Sequence, residues 1–201
     1  MNKRDLFNEN TIDYKNIFYP PGGILIWIII LLELFTFTIG LVVFNYQSKG
    51  EVSLFQSMST KLNLPLGTLN TLVLLTSGYC MATSLQWFEN GNSLSSIIYL
   101  RWTMILGTCF ILIKSMEYAM KIQKGYTLGS NSFMTFYWLL TGFHLLHVLI
   151  GMVILIWMHR NISRSVKNTN VIDLEAGAAF WHLCDLIWLL IFPVLYFHFL
   201  K

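Results

Sequence analysis

Apolar residues gather into five runs, at 24–44, 66–88, 97–116, 133–158 and 177–200, separated by polar stretches such as NYQSKGEVS and NTNVIDLE. A helix rising about 1.5 Å per residue needs roughly 20 residues to cross about 30 Å of hydrocarbon, and it satisfies its own backbone polar groups in lipid. The pattern predicts an all-α membrane protein with a five-transmembrane-helix bundle over 24–201, preceded by an N-terminal segment at 1–23. PPGG at 20–23 punctuates the entry to the first run, where a turn and a helix start both fit. With no internal repeat and no connector long enough for a soluble unit, one bundle is expected.

Composition agrees. Of 201 residues, 55% are apolar and 11% charged, against roughly 25% charged in a soluble domain. A net charge of +3, spread along the chain, excludes a nucleic-acid surface, where cations would cluster on one face. Cys80, Cys109 and Cys184 lack CxxC spacing and lie in apolar runs, so neither a disulfide framework nor a zinc site is expected. The opening MNKRDLFNEN, with the first apolar run beginning only near Ile24 and no A-x-A pattern, is read as carrying no cleaved signal peptide.

Loop charges do not orient the bundle: a cytoplasmic N-terminus places seven Lys and Arg inside and six outside. Tryptophans say more. Trp27, Trp87, Trp102, Trp157 and Trp181 fall at alternating ends of successive runs, so an up-and-down bundle puts all five at one headgroup level.

Polar residues inside the runs carry the candidate chemistry. Glu33 is roughly 13 Å into the first run, near the bilayer midplane. A lipid-facing carboxylate there costs about 2.5 to 3.5 kcal/mol. It is expected either as a neutral acid bonded to a neighbouring helix or as a proton-exchanging or lipid-contacting group. His144 and His147 share a face of the fourth run by i, i+3 spacing, as do His182 and Asp185 on the fifth. Helical rise puts His147 about 16 Å and Asp185 about 12 Å from the same side, so an imidazole donating to Asp185 is expected within one buried polar layer that fixes helix contacts.

Three histidines and a carboxylate at one depth also admit a metal or haem site. The absence of a paired i, i+4 metal motif in the sequence and the need of each ligand for its own supporting partner argue against it. Glu117, with Lys114 at i−3 and Lys121 at i+4, is expected as a solvated interfacial ion pair. Arg101, beside Trp102, is placed to reach a lipid phosphate.

LIWIIILLELFTFTIG with Glu33, LNTLVLLTSG at 69–78, EY at 117–118, TGFHLLHVLIGMVIL at 141–155 and FWHLCDLIWLLIF at 180–192 together resemble the subunit III family of haem-copper oxidases. The TGFHxxHVxxG and WHxxDxxW patterns are the specific part. The resemblance implies a shortened bacterial form with the last five of the family's seven helices, similar to subunit III of quinol and cytochrome c oxidases and to a relative associated with nitric oxide reductases. It implies a bacterial inner-membrane location with a cytoplasmic N-terminus and periplasmic C-terminus. It further implies no haem or copper in this chain, those cofactors belonging to the partner catalytic subunit I. Packing beside that subunit, support of proton uptake, protection of turnover and phospholipid held in a cleft are the implied roles. Glu33 matches the family's carbodiimide-reactive glutamate, and His144, His147, His182 and Asp185 match its buried polar positions.

Two readings compete with an accessory subunit: a stand-alone membrane redox protein using His144, His147 and His182, and a small proton-coupled carrier centred on Glu33. The absence of an inverted repeat in the sequence weighs against the carrier.

Overall fold

The computed structural model describes residues 20–164 and 170–197. The N-terminal segment at 1–19, Lys167 and the last four residues, with the C-terminal end of the fifth predicted span, lie outside the described residues.

Six helices are present among the described residues: α1 (Ile24–Gly50), α2 (Val52–Ser59), α3 (Leu64–Glu89), α4 (Ser93–Gln123), α5 (Ser132–Arg164) and α6 (Val171–Tyr196). Five of them correspond to the five apolar runs, α6 covering the fifth as far as Tyr196. Each begins before or at its run, and α1, α4 and α5 continue past it by six or seven residues, because helix geometry persists into the headgroup region after apolar composition ends. The short α2 was not predicted; it packs Phe55 onto Phe44 and Phe133. Four helices, α1, α4, α5 and α6, are long and apolar enough to cross a membrane. The predicted second span, α3, has 26 residues but is diluted by Thr68, Asn70, Thr71, Thr76, Ser77, Thr83 and Ser84. Most of those hydroxyls are satisfied within the helix, as when Thr71 Oγ1 donates to the Gly67 carbonyl at 2.8 Å.

Successive long helices alternate in direction, and contacts at both ends fix this. At one end Arg101 Nε donates to His159 Nε2 at 3.1 Å, joining the start of α4 to the end of α5. The Gly22 amide donates to Glu175 Oε2 at 2.8 Å, tying the entry to α1 onto the start of α6. At the other end Ser132 donates to Glu51 at 3.1 Å, joining α5 to the approach to α2.

Small residues let α3 and α4 close on each other, as membrane helices require where lipid is as apolar as leucine. Ser77 Oγ donates to the Thr103 carbonyl at 2.9 Å, and Ser84 Oγ to the Ser96 carbonyl at 2.8 Å. The bundle core lies among α3 to α6 and is densest along α6. By contrast α1 is peripheral: only Ile30, Phe37, Phe44 and Ser48 are buried, while Leu31, Phe35 and Val42 face outward. Trp181 corrects the headgroup-level expectation. It is fully buried, its indole Nε1 donating to Ser77 Oγ at 3.2 Å, whereas Trp27, Trp87, Trp102 and Trp157 stay exposed.

Candidate functional site

Glu33 projects from α1 toward α5, where His147 Nε2 stands 3.2 Å from Glu33 Oε2. The other ring nitrogen, Nδ1, is 2.8 Å from the carbonyl oxygen of Phe143 one turn back. A carbonyl only accepts, so Nδ1 carries hydrogen. The Nε2 is then the nitrogen that faces the carboxyl, able to accept from a carboxylic acid or, when it carries hydrogen, to donate to a carboxylate. The approach is close but poorly aligned, since among the described residues Glu33 Oε2 has no partner meeting hydrogen-bond geometry. Phe37, Phe143 and Phe180 surround the imidazole and keep the pair apolar. The Glu33 side chain retains 25% exposure, leaving the carboxyl reachable from the α1 side.

The expected contact of a fourth-span histidine with Asp185 is corrected. His147 takes Glu33, and Asp185 Oδ2 takes His182 Nδ1 of its own helix at 3.4 Å. Asp185 is buried against Gly78 of α3, in the space a Cβ there would fill. Its Oδ1 has no hydrogen-bond partner among the described residues.

His144 is also not a member of one hydrogen-bonded layer. Fully buried, it stacks on Trp188 at 5.2 Å and meets the Phe110 edge at 5.8 Å. Among the described residues neither ring nitrogen has a hydrogen-bond partner, so it joins α4, α5 and α6 through ring packing. Glu33, His144, His147, His182 and Asp185 thus form two pairs and a single ring rather than a connected network. Among the described residues no three His, Cys, Asp or Glu side chains converge as a metal-ligand set.

The largest departure concerns Lys114 and Glu117. Expected as a solvated interfacial pair, they are buried, at 1% and 3% exposure. Lys114 Nζ donates to Glu117 Oε2 at 2.9 Å and to the Tyr137 and Tyr196 hydroxyls at 3.2 Å each. Tyr137 and Tyr196 in turn donate to Glu117 Oε1 at 2.9 and 2.7 Å. Trp188 closes the cage with its ring face 5.0 Å from the ammonium. Every carboxylate oxygen and every ammonium hydrogen has a partner, the condition under which a buried pair is tolerated. Sequence reasoning missed Tyr137 and Tyr196; their signal was a phenol on each of two later helices at the depth of the pair. Lys121 is buried too, 5.0 Å from the Tyr137 ring. Arg101 and Trp102 lie at the exposed opposite end, with Arg101 engaged by His159.

The sequence model of the cytochrome c oxidase subunit III family matches residues 14–199. The chain is similar to cytochrome c oxidase subunit 3 of Rhipicephalus sanguineus, 35% identical over 132 residues that make up 64% of this chain and 49% of the relative. It is likewise similar to that of Papio hamadryas, 35% identical over 136 residues, 67% of this chain and 50% of the relative. The subunit 3 of Prototheca wickerhamii is 31% identical over 130 residues, 64% of this chain and 48% of the relative. The chain spans about half the length of the curated relatives it matches. Because the family match takes in all six helices and every polar contact described above, the chain belongs to the cytochrome c oxidase subunit III family.

Proposed function

We propose that this chain is a non-redox accessory subunit of a haem-copper respiratory oxidase in a bacterial cytoplasmic membrane. It packs beside the catalytic subunit I, which holds the haem and copper, and it has its N-terminus on the cytoplasmic side. The observation that carries this reading is the Glu33 and His147 contact inside a chain of the subunit III family. The two groups are placed to exchange a proton within the apolar bundle, with the Glu33 side chain still partly exposed beside the peripheral α1. Such a pair accepts a proton at one atom and releases it at the other without changing the number of buried charges by more than one. Its role is proton exchange that supports uptake by the catalytic subunit, while the remainder of the bundle supplies packing. Phospholipid on the exposed face of α1 completes the picture.

Mass spectrometry of what co-purifies with the full chain in mild detergent tests the reading. Recovery with a large haem-bearing subunit is expected. A chain that purifies alone, or that shows a haem Soret band by itself, would overturn it.

A further inference from the structure

Three lysines converge where α4 ends and α3 begins, away from Glu33 and from the outward face of α1. Lys61, Lys121 and Lys124, with Asn63 and Glu117, line a cavity of about 50 Å³. A larger one of about 450 Å³ shares Lys61, Asn63 and Lys124 and reaches the first turn of α3 at Leu64 and Pro65. The charges do not cancel. Both oxygens of Glu117, the carboxylate in the lining, are already taken by Lys114, Tyr137 and Tyr196. Among the described residues none of the three lysine ammonium groups has a carboxylate within 4.0 Å.

Lys121 is the decisive member. It is 5% exposed, rests 5.0 Å from the face of Tyr137 and lines the smaller cavity, with Glu117, already bonded to Lys114, acting on its charge from beyond 4.0 Å. A largely desolvated ammonium is stabilised by a directly bonded anion or acceptor, and among the described residues no protein group accepts a hydrogen bond from the ammonium of Lys121, which lines the cavity. The α3 N-terminus adds positive dipole to the larger cavity.

We propose that Lys61, Lys121 and Lys124 form a binding site for a phosphate oxyanion. Several ammonium groups around one cavity suit a group with several charged oxygens, each able to accept a charge-assisted hydrogen bond. The phosphate arrives either on a membrane lipid or free in solution. The surroundings accommodate a lipid: Met120 lines the cavity and is exposed, as are Met116 and Ile122 on the same stretch of α4, an apolar flank for an acyl chain. Tyr126, also in the lining, accepts at its carbonyl from Trp138 Nε1 at 2.9 Å, the kind of aromatic pair that marks a headgroup level.

The full chain is placed in nanodiscs of phosphatidylcholine with and without phosphatidylglycerol, and retained lipid is counted by native mass spectrometry. Acylation of Lys124 is followed in parallel in phosphatidylcholine discs with and without inorganic phosphate. Retention of phosphatidylglycerol, reduced about tenfold in K61Q/K124Q as the loss of a charge-assisted hydrogen bond predicts, supports the site with a lipid as its source. Phosphate that slows Lys124 acylation without any retained phosphatidylglycerol supports it with a soluble source. Lys61 and Lys124 are exposed, so this variant keeps the fold, and K121R serves as a charge-preserving control that retains binding. The proposal is overturned if neither probe binds, or if K61Q/K124Q binds as well as the parent. It is also overturned if Lys124 becomes protected only in an assembled complex, which would assign the lysines to an acidic partner surface.

Discussion

Glu33 and His147 meet across α1 and α5 at 3.2 Å, and the Phe143 carbonyl fixes which imidazole nitrogen faces the carboxyl. A glutamine at 33 still offers an N–H to an unprotonated Nε2, whereas a leucine leaves that nitrogen buried without a partner. E33L is expected to cost about 1–3 kcal/mol and E33Q less than about 1 kcal/mol. Both are expected to lose the carbodiimide labelling that the family resemblance implies for Glu33. Thermal unfolding in detergent, with labelling of intact chain, checks the order; equal melting of the two variants would show that the contact has no structural weight.

Removing one member of the Lys114 cage strands the other. K114M leaves the Glu117 carboxylate buried with two phenols and no bonded ammonium, and is expected to cost about 3–5 kcal/mol. K114M/E117Q removes both charges, so it should recover most of that loss. A double-mutant cycle on unfolding midpoints measures the coupling. Additive losses would mean that the two side chains act separately.

Gly78 is the only residue type that leaves room for Asp185. An added methyl would overlap the Asp185 carboxylate, so G78A is expected to lower stability by about 1–3 kcal/mol as an overpacked contact. Shortening the opposing group in G78A/D185A should restore part of it. If G78A melts like the parent, α3 and α6 are less tightly opposed at this level than the geometry states.

How much of this was legible follows from two helices. The buried positions of α4 are Ser96, Leu100, Thr103, Gly107, Phe110, Lys114, Glu117 and Lys121, spaced alternately by four and three. That stripe, once seen in its apolar half, carries straight into the charged half and would have turned all three ionisable residues inward. Hydropathy hid it, because an average over the helix surface falls when lysines enter, whichever way they point. On α6 the error was of another kind. Rise per residue gave His147 and Asp185 comparable depths, but depth leaves rotation about the axis free. Gly78 decides that rotation by admitting the carboxylate on the α3 side, which leaves His147 to Glu33. The short α2 had no signal of comparable strength: eight residues hold little more than two helical turns, and its one fully buried aromatic, Phe55, reads in sequence as part of a loop.

Trp181 is wedged between glycines of two neighbouring helices. A Cβ on Gly107 of α4 would stand 2.8 Å from its indole, and one on Gly151 of α5 would stand 2.9 Å away. Neither ring nor backbone can yield easily, because Nε1 is tethered to Ser77 on α3, so one side chain sets the spacing of four helices. G151A is expected to destabilise by about 1–3 kcal/mol through overpacking. W181F, which frees volume and removes the tether, should relieve the clash in G151A while itself costing stability in the parent background. Unfolding midpoints of the two single variants and the double variant provide the check. A double variant whose loss equals the sum of the singles would rule out the wedge, since relief requires it to be smaller.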